Sequence, residues 1–195
     1  MYIAKFLVYF SILVWLLPPF RQIRGGYFLY FLALGFSDPF ALIFLWLIKL
    51  NVEYVHLIIA FILAISILFY NKKLNINWTI GLTLLLLVSI WRVGIDKQYF
   101  YFIIFHFIIL MQIMISAVKE VYQKQRINIY FSILFIYELT TILKFIIYSY
   151  NYTSGIYMFY LSLVFEMIIG LFFIFYNLEN TPIIKLPSGI TEQEF

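Results

Sequence analysis

Seven long apolar stretches follow one another along this chain, with little polar sequence between them. They cover approximately residues 2–20, 27–49, 53–71, 76–93, 99–120, 127–151 and 156–176. Each is close to the roughly 20 residues a helix needs to cross a hydrocarbon core of ~30 Å. Few folds accommodate that pattern. A membrane barrel would need segments of ~10 residues with alternating polarity, and these runs are continuous and far longer. A soluble domain is about 25% charged, whereas this chain is 11% charged and 65% hydrophobic. The expected fold is therefore all-α: a polytopic membrane protein with seven transmembrane helices in one compact bundle, residues 1–176. The remainder, 177–195, contains Pro182, Pro187 and Gly189 and reads as a short, polar, irregular tail.

The connections are short and carry the turn and charge signals. Arg21-Gln22-Ile23-Arg24-Gly25-Gly26, Asn71-Lys72-Lys73 and Lys124-Gln125-Arg126 are examples. Loops of this length favour antiparallel neighbours. No internal repeat stands out, so a repeat-built transporter gains no support. The first run has a lysine near its start, as a signal peptide would. It ends in Leu16-Leu17-Pro18-Pro19-Phe20 with no small-residue cleavage site, so it reads as a retained helix over 2–20.

Orientation follows from the basic residues. Arg21, Arg24, Lys72, Lys73, Lys119, Lys124, Arg126 and Lys185 fall on one side of the bundle, and Lys5, Lys49, Arg92 and Lys97 on the other. The richer side is expected to be cytoplasmic, which puts the N-terminus outside and the C-terminus inside. The net charge of +4 is thereby a topology signal and not a nucleic-acid one. Tyr99, Tyr101, Tyr148, Tyr150, Tyr152, Tyr157 and Tyr160 crowd the outer ends, as an interfacial aromatic belt does. The expected location is the cell (inner) membrane or its equivalent, with several passes and the lipid bilayer as first partner.

Three acids sit near the centres of apolar runs: Asp38, Glu138 and Glu166. A charge at the bilayer centre costs at least ~2.5–3.5 kcal/mol on insertion scales, so such residues face protein or a polar cavity. Asp38 precedes Pro39, which cannot donate to the carbonyl of Gly35, and a kink is expected there. Gly35, Asp38 and Ala41 share one broad helix face, where small residues admit a neighbouring helix. Asp38 then holds a cation or proton, or stays protonated against a neighbour.

Glu138 and Lys144 lie on the sixth run, about 120° and ~9 Å apart, with Thr141 between them. A direct pair within that helix is not expected. Lys144 either extends to the outer surface or neutralises Glu166 or Asp38 across the bundle. Ser162, Glu166 and Gly170 form one stripe, suggesting a face turned to protein. Glu166 then either shares a proton with Glu138 or is satisfied separately. His56 and His106 fall at similar depth in the outer half. A bis-histidine haem is thinkable there, but hydrogen bonding between helices is the plainer reading and no cofactor is expected. Gln112 and Ser116 read as helix–helix contacts.

If these faces converge, they form a pocket open to the outside with an acidic floor. The candidate ligand- or ion-binding residues are Asp38, Glu138, Lys144, Glu166, Thr141 and His106. The chain has no cysteine, which excludes disulfides and thiolate chemistry. It also has no Walker A, GxSxG or HExxH pattern, so an enzyme is unsupported. The expected function is to bind, sense or transport a small solute, a cation or protons. The rival is a non-catalytic accessory or structural subunit of a larger membrane complex, whose partner would satisfy the buried acids.

Overall fold

The computed structural model describes residues 2–49, 52–70, 76–92, 98–149 and 155–186. Lys72, Lys73, Lys97, Tyr150, Tyr152, Pro187 and Gly189 lie outside them, as do the side chains of Arg92, Tyr148 and Tyr157. The described chain is almost entirely helical: α1 (Tyr2–Leu16), α2 (Pro18–Gln22), α3 (Phe28–Ile48), α4 (Val52–Tyr70), α5 (Ile76–Arg92), α6 (Gln98–Lys124), α7 (Ile129–Ser149) and α8 (Gly155–Phe175). Two short strands, β1 (Arg126–Asn128) and β2 (Ile183–Lys185), complete it. Phe28–Leu47, Tyr99–Lys124 and Ile129–Ile147 are long and apolar enough to cross a membrane, which fits a membrane protein.

The first apolar run is not one helix. It breaks after Leu16, and α2 begins at Pro18. Neither Pro18 nor Pro19 has an N–H to continue the ladder, yet both suit the first turn of a new helix, where donors are unused anyway. The short α2 then packs across α3 and α8. By contrast, Pro39 is accommodated inside a continuous α3.

The beginning of the tail is also more ordered than expected. Asn177 Oδ1 accepts the N–H groups of Glu179 and Asn180 and folds a turn. The chain then pairs β2 antiparallel with β1, Ile127 opposite Ile184. Flanking bonds from Leu186 N to Gln125 O (3.0 Å) and from Ile129 N to Pro182 O (3.2 Å) extend the ladder. The backbone between α6 and α7 thus finds partners in the tail, as buried amides must. Arg126 donates through Nε (2.9 Å) and Nη2 (2.7 Å) to Glu120 Oε1, pinning the same corner.

Six helices close into a ring. α1 packs on α3, α3 on α4, α4 on α6, α6 on α7, α7 on α8 and α8 on α1. α5 lies outside it, against α4 and, less extensively, α6. The strand end of the ring is solid. Tyr27, Tyr30, Phe31, Tyr130 and Phe173 are fully buried there, with Phe31 and Phe173 centroids 4.7 Å apart and Tyr130 and Phe173 5.2 Å apart. Gln22 is buried with them. Its Nε2 donates to Tyr176 O at 2.9 Å, satisfying a carbonyl beyond the end of α8.

Candidate functional site

Two glycines bring α1 close to its ring neighbours. A β-carbon at Gly35 would meet the Trp15 carbonyl oxygen at 2.5 Å, and one at Gly170 would meet Val14 Cγ1 at 2.8 Å. The expectation that these small residues admit a neighbouring helix holds, and that helix is α1 in both cases. Beyond this seal the ring opens into a cavity of about 640 Å³. Sites for small molecules are typically ~300–1,000 Å³. All six ring helices line it, and no described residue of α5 does.

Asp38, His106, Thr141, Lys144 and Glu166 all face this cavity, and His56 joins them. The polar faces therefore converge, although they come from five different helices. Glu138 is the exception. It has no exposed surface and sits behind His106, whose Nδ1 is 2.7 Å from Glu138 Oε2. The Tyr30 hydroxyl donates to the other oxygen, Oε1. Both carboxylate oxygens are thus occupied, as burial requires.

Glu166 meets Lys144, with Nζ to Oε1 at 3.1 Å. Lys144 is consequently turned across to α8 and is not extended alone to the surface. A proton-sharing pair between Glu138 and Glu166 does not form, because each acid has its own partner on a neighbouring helix. Of the three acids, only Asp38 makes no hydrogen bond or ion pair among the described residues. It is exposed at the edge of the cavity, within electrostatic reach of His56.

Thr141 Oγ1 donates to its own helix at Tyr137 O, 3.0 Å away, while still lining the cavity. Ser116 likewise donates to Gln112 O within α6, at 2.9 Å, so this bond does not join two helices. His56 and His106, weighed as haem ligands, share the cavity, and the His106 ring is fixed through Nδ1 by Glu138. Among the described residues no group of three or more His, Asp or Glu side chains is arranged to hold a metal ion.

Sequence reasoning missed Tyr30 and the aromatic lining. Tyr30 is one of 17 tyrosines, and nothing in its immediate neighbours distinguishes it. The available signal was spacing: Tyr30, Leu34 and Asp38 are four apart and form one stripe of α3. Trp15, Tyr99, Tyr137, Phe102 and Phe145 line the cavity too, yet in an aromatic-rich chain each reads as ordinary core.

The arrangement has two chemical capacities. A carboxylate–histidine pair fixes one ring nitrogen of His106 and orients the ring at the cavity wall. Asp38 offers a carboxyl group with no hydrogen bond or ion pair among the described residues, in a cavity that aromatic side chains also line. Compared with known protein families, curated proteins and solved structures, the chain matches none.

Proposed function

We propose that this chain is a seven-span protein of the cell membrane, N-terminus outside and C-terminus inside, that takes a small solute into the six-helix cavity in order to bind, sense or move it. The observation that carries the reading is the cavity itself: about 640 Å³, with Asp38, His56, His106, Lys144 and Glu166 on its wall. Polar groups of this kind are costly inside an apolar bundle, and their presence there points to a functional site. The basic-residue distribution supports an opening on the outer side.

The internal pairing weighs against an accessory subunit. That role would leave the intramembrane acids for a partner to neutralise, whereas two of the three, Glu138 and Glu166, meet side chains of this chain and only Asp38 is left open. The test is a thermal-shift screen of the purified protein against small solutes of every charge. It is run beside Ala41→Trp, which fills the cavity from α3. Solutes that raise the unfolding temperature of the parent and not of the folded variant support the reading. A screen in which nothing stabilises the parent refutes it.

A further inference from the structure

We propose that the solute is an organic ammonium ion, held by the Asp38 carboxylate in this aromatic-lined cavity. The proposal rests on the reading of this cavity as a solute site, and it names the chemical class that site selects.

Charge gives the sign. Lys144 is turned to Glu166 at 3.1 Å, and Glu138 is closed off by His106 and Tyr30. Asp38 is the remaining lining acid, with no hydrogen bond or ion pair among the described residues. An anionic solute would meet this carboxylate, and the cavity's lysine is already engaged. A cation meets an unspent counter-charge.

Aromatic geometry gives the class. Trp15 and Tyr137 both line the cavity, with centroids 4.9 Å apart. Phe102 and Phe145 line it too, stacked at 5.0 Å, with Tyr99 6.4 Å from Phe145. The faces of such rings attract ammonium groups, tryptophan most strongly. A bare metal ion needs converging oxygen or nitrogen ligands, and no such group exists among the described residues. The volume is also far larger than an inorganic ion requires.

The rim suits hydrocarbon substituents. Leu42 and Leu45 line the cavity beside Asp38, yet are 52% and 46% exposed. The cavity therefore reaches the surface along the second half of α3, past an apolar lip. One turn earlier, Pro39 deprives the Gly35 carbonyl of its helical donor, leaving an acceptor close to the Asp38 turn.

The test is calorimetric titration of the full-length protein in lipid nanodiscs with choline, n-butylammonium and benzyltrimethylammonium. Each is compared with a neutral or anionic counterpart, for choline 3,3-dimethylbutan-1-ol and 3,3-dimethylbutanoate. At least one ammonium compound is expected to bind about tenfold or more tightly than its neutral counterpart. Asp38→Asn should weaken it by a similar factor and Asp38→Glu should largely preserve it. Asp38 makes no hydrogen bond or ion pair among the described residues, so these variants should keep the parent's unfolding temperature. Equal binding of the neutral compound, or an Asp38→Asn variant with unchanged ammonium affinity, overturns the ammonium class. If that binding is lost in Ala41→Trp, the solute site itself still stands. Failure of every compound of every charge overturns both.

Discussion

His106 Nδ1 lies 2.7 Å from Glu138 Oε2, joining α6 to α7 beneath the cavity. Tyr30 completes the arrangement from α3 by donating to Oε1. Three helices of the ring therefore meet at one carboxylate that has no exposed surface. Removing it should be more damaging than changing its charge. Glu138→Leu leaves a buried hydroxyl and a buried imidazole nitrogen without their acceptor, a loss of about 1–3 kcal/mol for each unsatisfied group. Glu138→Gln retains an acceptor oxygen for Tyr30. Thermal unfolding in detergent should therefore rank parent, Gln and Leu in that order of stability.

Gly35 and Gly81 make a matched pair of controls. At Gly35 a methyl group would meet the Trp15 backbone oxygen at 2.5 Å, so Gly35→Ala must push α1 away from α3. Overpacking of this kind costs about 1–3 kcal/mol. At Gly81, on α5, an added β-carbon has nothing within 4 Å. There alanine should stabilise the helix by roughly 0.5–1 kcal/mol through backbone entropy. Opposite shifts in unfolding temperature are expected, and a Gly35→Ala protein as stable as the parent would contradict the close approach.

Lys144 and Glu166 should prove coupled. Their side chains are 24% and 12% exposed, so the pair is screened less than a surface bridge. Lys144→Met alone leaves Glu166 without its cation, and Glu166→Gln alone leaves Lys144 without its anion. The double variant removes both charges. A double-mutant cycle on stability should give an interaction of about 0.5–3 kcal/mol. A cycle that closes to zero would mean the two side chains act independently.

At the opposite end, Gln22→Leu should loosen α8. The change removes the donor to Tyr176 O at 2.9 Å and the acceptor for the Tyr130 hydroxyl at 3.4 Å. A leucine of similar size keeps the packing but takes away the side-chain donor to the Tyr176 carbonyl, costing about 1–3 kcal/mol. Hydrogen exchange should report it, as faster exchange in the last turns of α8 than in the parent.

From the sequence alone came the all-helical character of the chain and the approximate positions of most of its long helices. Continuous apolar runs separated by charged turns leave the backbone little alternative to satisfying its own hydrogen bonds. It also marked Asp38, Glu138, Lys144 and Glu166 as candidates, because polar groups at such depth need partners or a polar cavity. The order of the helices around the ring was beyond its reach, and with it which acid meets which base. A periodic pattern fixes the face of a helix but not the neighbour it turns to. Only the tertiary structure placed α5 outside the ring, sent Lys144 to Glu166 and His106 to Glu138, and left Asp38 at the cavity edge. It also decided the break at Leu16 and the pairing of Ile127 with Ile184, where backbone groups distant in sequence settle their hydrogen bonds by proximity in space.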